Sequence, residues 1–220
     1  MKRLVLVAIA LTLTACGSNG PTLSTSPPSS PSPAVSPSPS PSPRRVPVRL
    51  TGDGVDLPDG LVEFGADITD VRARLVAALG EPSKDTGVGD SFSFYGTCPG
   101  RRLQGLEFYG GALRLLFGDV IGPGLTFFQW SLAREGQPQD APTASAFVGD
   151  VTTYEFGVNT PLGDLRTAVA ADTLKITQPQ DQFPAGFHLT DQSAGFFGYL
   201  TGTGDTDLVT AVIGGEGCGE

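Results

Sequence analysis

The chain has 220 residues, of which the first 45 read as export signal and linker and residues 46–220 as one folded domain. That domain holds all 23 acidic residues against ten of the fourteen basic ones, a formal charge of −13, which argues against a nucleic-acid role. One His, one Met, one Trp and three Cys leave too little material for a His/Cys metal cluster, imply no cofactor, and make His188 the sole basis for histidine catalysis.

Residues 1–15 begin with Lys2 and Arg3, continue as an apolar run from Leu4 to Leu13 interrupted by Thr12, and end in small residues before Cys16. This is the pattern of a signal peptide, and the run is far shorter than the roughly 18 to 20 apolar residues a membrane-spanning helix needs. Leu13-Thr14-Ala15-Cys16, followed by Gly17 and Ser18, resembles the lipobox of bacterial lipoproteins. The resemblance implies cleavage before Cys16, a diacylglycerol on its sulfur, and an exported protein anchored to the membrane or cell envelope through that lipid. Two or three acyl chains hold a protein stably, at about 0.8 kcal/mol per buried methylene. Residues 16–45 then form a linker in which 9 Pro and 9 Ser occupy positions 21–43. Alternating proline favours polyproline II, which at about 3.1 Å per residue gives a reach of roughly 70 Å.

Two segments of the folded part match: Glu63-Phe64-Gly65 with Asp70-Val71-Arg72, and Glu155-Phe156-Gly157 with Asp164-Leu165-Arg166. In the first, Ile68, Val71, Leu75 and Leu79 recur at helical spacing, with Asp67 or Thr69 as cap and Gly80-Glu81-Pro82 as stop. In the second, Thr160 is the expected N-cap, Pro161 the first helical residue, and Leu162, Leu165 and Val169 the apolar face. Strands are expected after the first helix at 92–95, 106–109, 113–117 and 125–132, with Gly110-Gly111 turning the middle pair, and after the second at 174–177, 187–189, 196–200 and 208–213. The expected fold is therefore α+β, a tandem repeat of a short helix region followed by a four-stranded antiparallel sheet, spanning about residues 61–133 and 152–214. Phe64-Gly65 through Asp70-Val71 to Leu79-Gly80-Glu81-Pro82 resembles the helical portion of small outer-membrane-assembly lipoproteins and of β-lactamase inhibitory proteins. That resemblance implies two helix-plus-four-strand units and binding of a protein through a sheet. The inhibitory proteins staple each repeat separately, whereas this domain has only Cys98 and Cys218, and no contact residues carry over.

With Cys16 assigned to lipid, Cys98 and Cys218 remain as an even pair in an oxidising compartment, and a disulfide is the economical reading. Such a long loop stabilises by roughly 4 to 5 kcal/mol in the chain-entropy picture. His188 lies between Phe187 and Leu189 and points to the opposite face from both; Asp191 is the nearby acid with which it could form a general base. The acids Asp53, Asp56 and Asp59, and the pair Asp205 and Asp207, offer oxygens but lack calcium-loop spacing, so no metal is expected. The aromatic runs Phe127-Phe128-Gln129-Trp130 and Phe196-Phe197-Gly198-Tyr199 place Phe128 with Trp130, and Phe197 with Tyr199, on common strand faces. These four form the candidate binding face for an envelope protein partner, unless both faces are core or residues 134–146 cover one. The leading expectation is a lipid-anchored, non-enzymatic binding or assembly module; the alternative is a carboxylate-dependent hydrolase of cell-envelope material. Replacing Cys16 by Ser is expected to release the protein from the membrane fraction, and continued lipid incorporation in the variant contradicts the anchor.

Overall fold

The computed structural model describes residues 48–93, 96–133, 143–148, 152–169, 171–181, 183–190 and 195–218. Cys16, the signal and the linker lie outside them, as does Asp191. No described helix is long and apolar enough to cross a membrane. The chain opens with β1 (Arg49–Thr51), β2 (Gly54–Leu57) and β3 (Gly60–Glu63), then α1 (Ile68–Leu79). There follow β4 (Lys84–Asp85), β5 (Gly89–Ser93), β6 (Gly96–Phe108), β7 (Leu113–Gly118) and β8 (Thr126–Ala133). After β9 (Thr143–Val148), β10 (Thr152–Phe156) and α2 (Leu162–Ala168) come β11 (Leu174–Thr177), β12 (Ala185–Leu189), β13 (Phe196–Leu200) and β14 (Val209–Gly215).

The strands form two sheets in an α+β fold. A nine-stranded antiparallel sheet runs β11-β12-β13-β14-β8-β7-β6-β4, with β5 also paired to β6, and a five-stranded sheet runs β10-β9-β1-β2-β3. The smaller sheet is antiparallel except where β1 runs parallel to β9. The Asp-Gly stretch around Asp53–Gly60 forms the turns of a meander, and Thr143 onward, in the segment expected as a possible cover, is a strand of this sheet.

Both helices bury the central residues their spacing selects, with Ile68 and Leu79 partly buried at the ends of α1 and Val169 buried just past α2. In α1, Val71 and Leu75 are buried, Asp67 accepts from the Thr69 N–H at 2.8 Å, and Gly80 closes the helix at φ 85°. In α2, Leu162 and Leu165 are buried, but Pro161 rather than Thr160 occupies the cap; the Thr160 hydroxyl accepts instead from the Gly157 N–H. Each helix is hung from a strand by the same three bonds. The N–H of Gly65 donates to Phe127 O, that of Phe127 to Ala66 O, and that of Ile68 to Leu125 O. The N–H of Asn159 donates to Val209 O, that of Val209 to Thr160 O, and that of Leu162 to Asp207 O. Gly65 and Asn159 both take positive φ, 92° and 72°, the latter a conformation Asn tolerates better than most residues.

One face of the large sheet, the inner face, packs against both helices and the small sheet in a single core. That core includes Leu50, Val55 and Val62 from the small sheet, Val71 and Leu75 from α1, Leu162 and Leu165 from α2, and Phe117, Phe127, Trp130, Phe196 and Val212 from the large sheet. Trp130 is fully buried; its indole N–H donates to Thr51 O at 2.9 Å and its ring lies 5.6 Å from that of Phe196. A smaller cluster of Cys98, Leu103, Leu116 and Phe128 lies on the outer face, joined by Val120 and Cys218.

The separation of Phe128 from Trp130 corrects their expected common face. Leu116 pairs with Gln129 but Phe117 pairs with Phe127, so Phe128 is an extra residue in β8, a bulge that interrupts the alternation. Phe127 and Trp130 consequently point inward together, while Phe128 sits outside beneath the Cys98–Cys218 disulfide, which spans 120 residues of chain. Neither Phe128 nor Trp130 belongs to an exposed surface, at 5% and 0% exposure. Trp130→Ala is expected to cost about 3–5 kcal/mol in urea unfolding. Trp130→Phe, which removes the indole donor to the Thr51 carbonyl, is expected to cost about 0.5–1.5 kcal/mol beyond its packing change; near-neutral values for both contradict this packing.

Candidate functional site

The outer face of the large sheet carries a continuous row set by strand register. Lys175 opposes His188, His188 opposes Phe197, Phe197 opposes Ile213, and Ile213 opposes Ser131. Ser131 in turn opposes Arg114, Arg114 opposes Glu107, and Glu107 opposes Lys84. The two halves of this row differ chemically. On the β4–β8 side the Glu107 carboxylate, in a side chain only 10% exposed, lies 3.4 Å from Lys84 Nζ and 3.9 Å from Arg114 Nε. A buried carboxylate held between two cations is a closed arrangement, and removing either partner leaves charge uncompensated.

On the β11–β14 side the row is apolar and aromatic. Phe187 and Leu189 are buried inward while His188 is exposed outward, its ring stacked on Phe197 at 6.4 Å and 18°. Phe197 and Tyr199 are half-buried, as are Ala211 and Ile213 beside them. Of the four residues of the expected binding face, the structure thus brings Phe197 and Tyr199 together on this surface and places Phe128 and Trp130 elsewhere. The C-terminal residues run along its border: the Glu216 N–H donates to Phe128 O at 2.9 Å and the Cys218 N–H to Gln129 Oε1 at 3.2 Å. Gly217 abuts Phe197, since a Cβ there would stand 2.9 Å from the ring.

Several of the acids are committed to structure, though Asp53 and Asp56 are not among them. Arg74 grips Asp59 through Nε and a terminal nitrogen, both at 2.9 Å, and holds its carboxyl below the usual range. Arg166 pairs with Asp205, while Asp207 accepts from the Thr201 hydroxyl and the Gly204 N–H. Burial tends to raise Asp85, but the Gly87 N–H, the Gln104 amide and Arg72 outweigh it and leave the carboxyl lowered. Asp119 receives the backbone N–H groups of Arg102 and Arg101 and the Arg102 guanidinium, which together hold it at about 2. Among the described residues no three His, Cys, Asp or Glu side chains gather as metal ligands. A recess of about 460 Å³ lies along β3, lined by residues 61–66 and Arg74, but its guanidinium is spent on Asp59 and on the carbonyls of Gly60 and Leu61.

Sequence reasoning missed Lys175, Ile213 and the Glu107 cluster. Lys175, His188, Phe197 and Ile213 are outward residues of four short β-type runs, a signal present in the alternation; that Glu107 meets Arg114 and Lys84 depends on register alone. No protein-family model, curated protein or solved structure matches this chain.

Asp119 provides a test of these assignments. Its folded pKa is depressed from an ordinary ~3.9, so its contribution is present above about pH 4 and lost as the pH falls toward 2. The stability deficit of Asp119→Asn is therefore expected to be largest at about pH 5 and to shrink toward pH 2, in thermal melts across that range. A deficit constant over the range contradicts the assignment.

Proposed function

We propose that this protein is a lipid-anchored module of the cell envelope that binds a protein partner, without catalysis, through the outer face of β12 to β14. The observation that carries the reading is the half-buried pair Phe197 and Tyr199 with exposed His188 on a sheet whose inner face is fully occupied. An apolar, aromatic surface of this kind marks recognition more often than chemistry. Anchoring at Cys16 and the Pro/Ser-rich linker at 16–45 fit a domain that must reach a partner from a membrane.

The domain is further proposed to be a duplicated unit of one helix and four strands. The matching triplets of hydrogen bonds that hang α1 and α2 set Gly65 on Asn159 and Phe127 on Val209. The extra residue of β8, Phe128, then falls on Thr210, which is the residue skipped between the pairs Leu200–Val209 and Tyr199–Ala211 in β14. In the same superposition Ser131 falls on Ile213, Arg114 on Phe197, Glu107 on His188 and Lys84 on Lys175. The first unit carries an addition, β5 with the early part of β6, and this addition bears Cys98.

The test is photo-crosslinking in cells from an aryl-azide or benzophenone side chain placed at Tyr199 of the full-length chain, beside the same group at the exposed Ile121. A discrete protein adduct from 199 and not from 121 is the expected result. Equal, diffuse labelling from both positions contradicts a binding face.

A further inference from the structure

We infer that Arg74 of α1 is a clasp that holds the free edge of β3 shut, and that without it β3 adds, edge to edge, to β3 of a second copy of the chain. Among the described residues β3 ends the small sheet, with β2 as its one strand neighbour. The backbone groups of such a strand alternate between its neighbour and the outside. The Phe64 N–H donates to Asp53 O at 3.0 Å, so in the same register Val62 and Gly60 also bond toward β2, while Leu61 and Glu63 face away. The Glu63 carbonyl is taken by the Ala66 N–H at 3.2 Å as the chain turns toward α1. Leu61 is therefore the residue through which this edge can grow, and its apolar side chain is 38% exposed.

Arg74 closes that point. Its Nη1 donates to Leu61 O at 3.2 Å and its Nη2 to Gly60 O at 2.6 Å, while Nε and Nη2 hold the Asp59 carboxylate at 2.9 Å each. The guanidinium fork is thus anchored on the turn before the strand and fills the acceptor that an incoming strand needs. Edge strands are ordinarily blunted by shortness or by a lysine of their own. The large sheet does this, since β4 has two residues and carries Lys84, and β11 has four and carries Lys175. Strand β3, Gly60-Leu61-Val62-Glu63, has no cation, and α1 supplies one. The recess of about 460 Å³ lined by residues 61–66 and Arg74 leaves room beside the strand for added backbone. The occupant that fits is another β3. About a two-fold axis Leu61 meets Leu61 of the second copy and the two exchange both N–H···O bonds, an isologous contact that closes at a dimer. A register that sets Glu63 against Leu61 has to break the Ala66 bond.

The experiment uses the full-length chain with Cys16→Ser, in which no lipid brings copies together, and with Leu61→Cys as the one thiol beside the Cys98–Cys218 bond. Opposed residues of a hydrogen-bonded antiparallel pair lie about 5.5 Å apart at Cα, within disulfide range. With Arg74 in place, mild oxidation is expected to give little dimer linked through position 61. Arg74→Ala is expected to raise the rate of that bond about tenfold or more, the scale of one lost charge-assisted clasp. Arg74→Lys, which keeps the charge and the stem but not the fork, is expected to raise it severalfold. A thiol placed by Val88→Cys, an exposed position away from β3, reports random collision and is expected to respond to neither substitution. Circular dichroism establishes that each variant is folded, and Arg74→Lys alone decides if Arg74→Ala is not. Equal rates at position 61 with and without Arg74 overturn the clasp. Rates raised equally at positions 61 and 88 overturn the β3 edge as the place where copies meet.

Discussion

The structure depends on the contact between Trp130 and Gly214, where β8 and β14 join two groups of strands into one sheet. These residues oppose each other across the seam, and the indole lies so close over Gly214 that a Cβ there would stand 2.4 Å from the ring. Glycine at this position gives the ring its place; any larger residue must displace it. The same indole is bonded to Thr51 of the small sheet and packed on Phe196 of β13. One side chain therefore ties both strand groups to each other and to the layer that covers them. Burying so large an aromatic with its N–H satisfied explains why a polar handle is tolerated in the middle of the core.

On the outside, the two strand groups reach different ends. The first carries the added strand β5 and the early part of β6, and the disulfide from Cys98 pins the last residues of the chain over Phe128 and Leu116. Farther along it, Glu107 is closed between Lys84 and Arg114. The second group has none of this: its strands carry Lys175 as the only charge and present Phe197, Tyr199 and Ile213 half-buried. In the proposed duplication, the outer face of one copy is covered by the chain's own residues, whereas that of the other presents aromatic rings. The difference on the outer side accompanies the addition of β5 and the early part of β6.

The helices were legible because their apolar residues fall at spacings of three and four, and Asp67 and Gly80 end α1 by ordinary capping. Six strands of the large sheet were legible as short β-type runs, but β4 was missed, the strand expected at 92–95 is β5 at Gly89–Ser93, and the one expected at 106–109 is only the end of β6; the disulfide was legible by elimination among three cysteines. The small sheet was not. Arg49–Thr51, Gly54–Leu57 and Gly60–Glu63 are too short and too interrupted by Gly and Asp to stand out, and β1 joins β9 only across a long stretch of sequence. The candidate face was half legible. Alternation placed Phe197 with Tyr199, but the bulge at Phe128 broke the same rule in β8, because a single extra residue leaves no mark on a pattern of consecutive aromatics.

The continuity of the large sheet across the β8–β14 seam is the claim on which both the core and the outer row rest. Ser131 and Ile213 face each other there on the outer side, at the centre of the proposed symmetry. The most direct measurement is peptide mapping of a variant carrying Ser131→Cys together with Ile213→Cys, after mild oxidation. An intramolecular bond between positions 131 and 213, formed alongside an intact Cys98–Cys218 bond, is the expected result. Two alkylatable thiols at these positions, or bonds formed only between molecules, contradict the seam and the register built on it.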